Sequence, residues 1–120
     1  MLNVRTIELV GESCMIVRLS GKHNSGDMIN FSFSFFNKLV KLKSGAGLLI
    51  DIRGAELKLM KGLFQAASEE FFKAIQNNRI RRIAAVVDLK MYEIIKDYKT
   101  PSYVRLFNEE YDAAMQWLKE

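Results

Sequence analysis

One imidazole and two carboxylates carry most of the chemical potential of this 120-residue sequence. His23 is its only histidine, Asp51 closes the apolar run Leu48-Leu49-Ile50-Asp51, and Asp88 follows Ile83-Ala84-Ala85-Val86-Val87. An imidazole and a carboxylate form an acid–base pair when both come within about 3–4 Å of one reacting group. If the two apolar runs are parallel strands, these residues fall at their carboxyl ends, together with Ser20, Ser25, Arg53 and Lys90. Ligands of open α/β sheets bind at that edge. His23, Asp51, Arg53 and Asp88 are therefore the candidate ligand-binding residues. The plainer expectation, and the favoured one, is that Asp51 and Asp88 satisfy amides at helix N-termini.

Other catalytic sets are missing. Cys14 is the only cysteine, so no internal disulfide forms, which suits a reducing compartment. Cys14 and His23 lie at opposite ends of one strand, about 25–30 Å apart at about 3.3 Å per residue, too far for a nucleophile pair. No Cys/His spacing suits a metal, and there is no Gly-x-Ser-x-Gly and no phosphate loop; Gly45-x-Gly47 precedes a strand and reads as a turn. A binding protein without cofactor or metal is the expectation. A small enzyme using His23 with Asp51 or Asp88 ranks third.

The cations suggest a second surface. Net charge is +4. Lys38, Lys41 and Lys43 close the first helical pattern, Arg79, Arg81 and Arg82 follow the second, and Lys96 and Lys99 the third. All three junctions fall on the amino-end edge of the sheet, while Asp27, Asp51, Glu56, Asp88, Glu109 and Glu110 gather opposite. Helix dipoles alone favour this arrangement, by about 0.3–1 kcal/mol per charge. The alternative is an edge that meets anionic lipid, nucleic acid or an acidic partner. Nucleic acid is the least favoured of these, because no stacking aromatics interleave with the cations.

A third candidate is apolar. Phe31, Phe33, Phe35 and Phe36 cover more than one side of a helix. One sheet face uses about half of them, and the default is core packing. The remainder would pack under a neighbouring helix, form a homodimer contact or line an apolar pocket.

These residues need a scaffold. At 49% hydrophobic and 27% charged, the composition is that of an ordinary globular domain, and residues 1–120 read as one unit. Val4 to Val10 and Cys14 to Ser20 alternate about Gly11-Glu12-Ser13 and predict a hairpin. Leu48 to Ile52 and Ile83 to Val87 are continuously apolar, the signature of parallel strands covered on both faces. Tyr103 to Phe107 alternates as an outer strand.

Helical spacing fills the gaps. From Asp27 to Lys43 one stripe is Met28, Phe31, Phe35, Leu39 and Leu42, and a second is Ile29, Phe33, Phe36 and Val40. Lys61 to Asn78 and Lys90 to Tyr98 are the next helices. A last helix is expected after an Asn108 N-cap, burying Tyr111, Ala114, Trp117 and Leu118. The order is ββαβαβαβα, with right-handed crossovers making the second and later strands parallel. No stretch reaches the roughly 20 apolar residues of a membrane span. The amino terminus shows no apolar leader, so a cytoplasmic protein is expected.

Three phrases carry a family resemblance: Leu48-Leu49-Ile50-Asp51-Ile52-Arg53-Gly54, Arg82-Ile83-Ala84-Ala85-Val86-Val87-Asp88, and Val104-Arg105-Leu106-Phe107 leading to Ala113-Ala114-Met115-Gln116-Trp117-Leu118. Over nearly its whole length the chain resembles the STAS superfamily, most closely its SpoIIAA-like branch, grouped with the lipid-binding Sec14 fold. The resemblance implies a SpoIIAA-like α/β superhelix with a four- to five-stranded, mostly parallel sheet and an antiparallel N-terminal edge strand. It also implies a regulatory domain binding a protein partner, its own second copy included, or alternatively a carrier of a lipid or other small apolar ligand. Antagonists of this superfamily carry a phosphorylatable Asp-Ser-Ser/Thr-Gly. Laid on this chain, that pattern falls at Leu59-Met60-Lys61-Gly62, which keeps the glycine but has no hydroxyl, so that switch is not expected here.

Overall fold

The computed structural model describes residues 3–56, 77, 79–97 and 101–120. The helix expected over Lys61 to Asn78 lies outside them apart from Asn77, as do Leu59-Met60-Lys61-Gly62 and Lys99. Strands β1 (Val4–Val10) and β2 (Cys14–Ser20) form the hairpin read from their alternation. Gly11 turns it at φ 61°, a left-handed conformation that glycine adopts without strain.

Helix α1 (Ser25–Leu39) starts and stops before the expected Asp27–Lys43. Its start is a capping box: the Asn24 side chain accepts from the Asp27 N–H at 2.7 Å, and Asp27 accepts from the Asn24 N–H at 3.1 Å. At the other end residues 40–42 tighten into a turn, where Lys41 and Leu42 donate to the carbonyls of Lys38 and Leu39.

Strands β3 (Ala46–Asp51) and β4 (Ile80–Val87), helix α2 (Leu89–Ile95), strand β5 (Val104–Asn108) and helix α3 (Tyr111–Lys119) follow. The expected Asn108 N-cap is overturned. Asn108 is the last residue of β5, Glu109 takes a left-handed φ of 59°, and Glu110 stands at the N-cap with no side-chain cap bond. Pairing of Asn108 with Val87 of β4 holds it in the ladder, which outweighs its capping propensity.

The sheet order is β1-β2-β3-β4-β5, with β1 antiparallel to β2 and every other pair parallel. This is the α/β superhelix expected from the sequence. Right-handed crossovers that all step the same way put their connections on one face. Accordingly α1 and α2 contribute Phe31, Phe35, Leu39 and Met91 to one core, with Met15, Val17, Leu48 and Val87 from the sheet. Helix α3, after the last strand, covers the other face, where Ala114 and Leu118 pack on Ile16, Leu49, Ala84, Val86 and Phe107. Leu48 and Leu49, consecutive in β3, are both fully buried, because a central strand has a core on each side.

Candidate functional site

Asp51 is the one buried charged side chain among the described residues. It sits at the carboxyl end of β3, on the face that α3 covers. Arg53 takes it in a fork: Nε donates to Oδ1 at 3.0 Å and Nη2 to Oδ2 at 2.8 Å, while the Arg53 backbone N–H donates to Oδ1 at 3.2 Å. Arg18, paired across from Asp51 in the β2–β3 register, places Nε 4.0 Å from Oδ2. Its Nη2 donates to the Tyr111 hydroxyl at 3.0 Å. Both guanidinium groups lie over the Tyr111 ring, at 5.4 and 5.9 Å from its centroid. The hydrogen bond to Asp51 pushes the Arg53 pKa up, against desolvation. Asp51 therefore neutralises an arginine pair among the described residues; the helix whose amides it was expected to meet, Lys61 to Asn78, lies outside them apart from Asn77.

Asp88 does meet helix amides. It is the N-cap of α2, where Oδ1 accepts from the Met91 N–H at 2.9 Å and Oδ2 from the Gly54 N–H at 3.0 Å. His23 lies elsewhere. Its Nε2 donates to the Ser20 carbonyl at 2.7 Å, since a carbonyl can only accept, and its Nδ1 then accepts from Arg5 Nη1 at 2.9 Å. Arg5 also pairs with Asp27 at 3.0 Å. Thus His23, Asp51 and Asp88 share one edge, but each is bound to different partners. Among the described residues no hydrogen bond or ion pair joins the histidine to either aspartate.

The basic edge consists largely of caps. Arg79 donates to the carbonyls of Val40 and Leu42 past the end of α1. Arg81 and Arg82 donate to the carbonyls of Leu118 and Trp117 at the end of α3. Lys43 pairs with Glu12, Lys38 donates to the Ile7 carbonyl, and Lys41 is exposed. Arg82 and Arg105 also lie over the Trp117 ring, at 4.9 and 6.0 Å. The interleaving of cation and aromatic absent from the sequence is thus formed by folding, between β4, β5 and α3.

The four phenylalanines separate by stripe. Phe31 and Phe35 are buried, and Phe36 is half-buried with its ring edge-on to Phe35. Phe33 is 66% exposed, in line with Ile29 at 56% and Val40 at 65%. On the flank of α1 toward β1 an open groove of about 300 Å³ runs over Ile7 and Phe31, between Arg5 and α1's Asp27, Asn30, Ser34 and Lys38. Among the described residues there is no helix long and apolar enough to cross a membrane, and no group of three His, Cys, Asp or Glu placed to hold a metal.

The family model SpoIIAA-like matches residues 14–119. The chain belongs to this family. No curated protein and no solved structure matches it. The family match runs from the first residue of β2 to the last of α3, and the five-stranded mixed sheet with β1 antiparallel to β2 is consistent with the SpoIIAA-like fold. Sequence reasoning missed Arg18 and Tyr111, which lie 93 residues apart. The available signal was a charge at position 18 inside the mostly apolar strand β2, whose next strand along the chain, after α1, ends in Asp51.

Proposed function

We propose that this SpoIIAA-like chain is a non-enzymatic regulatory domain of the cytoplasm that works by binding another protein, a second copy of itself among the candidates. The observation that carries this reading is the second stripe of α1. Ile29, Phe33 and Val40 are more than half exposed and aligned on one helix face, beside half-buried Phe36. Contiguous exposed apolar surface of this kind marks contact sites in soluble proteins. The imidazole reading is weaker, since both ring nitrogens of His23 are engaged and neither is free to move a substrate proton. A lipid carrier needs an enclosed apolar cavity. Phe31 and Phe35 pack into the core itself, and the groove beside them is lined mainly by polar side chains.

The test is light scattering after size exclusion across a concentration series, with pull-downs from native extract, on the wild type and Phe33→Glu. Self-association or partner capture lost in Phe33→Glu supports the proposal. A strict monomer that captures nothing would sink it. An acyl species retained in native mass spectrometry would replace it with the carrier.

A further inference from the structure

The outer edge of β1 has a hydrogen-bonding polarity set by its neighbours. The Ser13 carbonyl accepts from the Gly47 N–H at 2.9 Å, at the start of the parallel β2–β3 pairing. Backbone groups alternate sides along a strand, so Met15, Val17 and Leu19 direct theirs to β3, while Ile16 and Arg18 direct theirs to β1. Ile7 stands opposite Val17. Its N–H and C=O therefore point away from β2 into an edge that no described strand pairs, as do those of Arg5 and Leu9, opposite Leu19 and Met15. Lys38 Nζ confirms this independently, by donating to the Ile7 carbonyl at 3.0 Å from α1. An ammonium there occupies the place of an incoming strand's N–H.

The groove of about 300 Å³ lies over this same edge. We propose that it receives an extended segment of a partner polypeptide, which adds to β1 as a sixth strand. Main-chain bonds to Ile7 supply the pairing and the groove selects side chains, as in other strand-addition sites. An apolar residue of the segment covers Ile7 and Phe31, and an acidic residue sits beside Lys38. The acidic preference follows from the displaced ammonium. When a peptide N–H takes the Ile7 carbonyl, Lys38 loses that partner, and Asp27, far back along α1 at about 16 Å of helix rise, is out of its reach. Until then Lys38 guards the edge from α1, since an ammonium laid on an edge strand's carbonyl blocks indiscriminate pairing there. A second copy fits less well. It would bring its own α1, about 10–12 Å across with side chains, against a groove at the small end of binding pockets. This surface is separate from the α1 stripe of Ile29, Phe33 and Val40, so either can fail alone.

The experiment selects binders from a phage-displayed random heptapeptide library on the full chain and on Lys38→Glu. The resulting synthetic peptides are titrated while exchange of the Ile7 amide is followed by NMR. Folding of the variant is checked by its thermal melt. The expected result is wild-type binders with an acidic residue at fixed spacing from an apolar one, slowed exchange of the Ile7 N–H, and about tenfold or greater loss of affinity in Lys38→Glu. The proposal is overturned if no peptide is enriched, if Ile7 exchange is unchanged on binding, or if Lys38→Glu binds equally well. Protection of Ile7 that appears with protein concentration alone would overturn it in favour of pairing between two copies.

Discussion

Arg53 closes on Asp51 from two residues away, with two side-chain bonds of 3.0 and 2.8 Å, and the two partners differ in their access to water. The Asp51 side chain is 9% exposed and that of Arg53 is 38% exposed. Removing one partner of a buried pair costs in proportion to how poorly water can rescue the other. Arg53→Ala leaves a buried carboxylate with the backbone N–H of position 53 at 3.2 Å and the 4.0 Å contact of Arg18, and should cost about 3 kcal/mol. Asp51→Ala leaves guanidinium groups that reach solvent, and should cost nearer 2 kcal/mol. Urea denaturation of both singles and the double variant measures this. The double should cost clearly less than the sum, and additive losses would show that the pair does not act as a unit.

Glu109 offers a stabilising substitution. A non-glycine residue at a left-handed φ of 59° costs about 1–2 kcal/mol, whereas glycine there gives up about 0.5–1 kcal/mol of chain entropy. Its carboxylate is exposed and assists Arg53 only through space. Glu109→Gly should gain about 0.5–1 kcal/mol and raise the melting temperature by roughly 3 °C. Glu109→Ala, which keeps the strain, should not. A melt of Glu109→Gly below the wild type would show that the carboxylate contributes more than the backbone relief.

The same turn shows where the sequence was legible and where it was not. Alternation in β1 and β2 and the continuous apolar runs of β3 and β4 report burial on one face or two, which is local information. The strands, their order of appearance and the stripe Ile29-Phe33-Phe36-Val40 follow from that. Asn108 is a good capping residue in isolation, and only its pairing with Val87, 21 positions earlier, puts it in a strand. Arg18 and Tyr111 meet for the same kind of reason, since a register and a helix position are tertiary facts. His23 was grouped with Asp51 because both lie at one sheet edge. The hairpin instead brings Val4 opposite Ser20, which delivers Arg5 to the imidazole first.

Cys14 gives the chain a pH dependence on the alkaline side. Burial pushes its thiol pKa up, and the nearby charge of Lys119 opposes this. The folded state thus holds the proton more tightly than the unfolded chain. The resulting stability is fully present below the ordinary thiol range, about pH 8.5, and is lost as pH rises through the folded pKa. Denaturation midpoints from pH 7.5 to 10.5 should fall more steeply for the wild type than for Cys14→Ala. Alkylation of the native thiol at pH 8 should be slow beside that of the urea-unfolded chain. Parallel pH profiles for the two proteins would remove Cys14 as the cause.

Phe33 and Phe35, two positions apart on α1, should separate stability from binding. Phe35 is 6% exposed within the core, and Phe35→Ala should cost about 3–5 kcal/mol through lost transfer energy and the cavity left behind. Phe33, at 66% exposed, has little burial to lose, so Phe33→Glu should change folding stability by no more than about 0.5 kcal/mol. The ordering reverses for association, because only Phe33 presents its ring on the outer stripe with Ile29 and Val40. Urea midpoints and light scattering on the two variants give both readouts. If Phe33→Glu unfolds the chain as readily as Phe35→Ala, the stripe is core, and the protein-binding reading loses its surface.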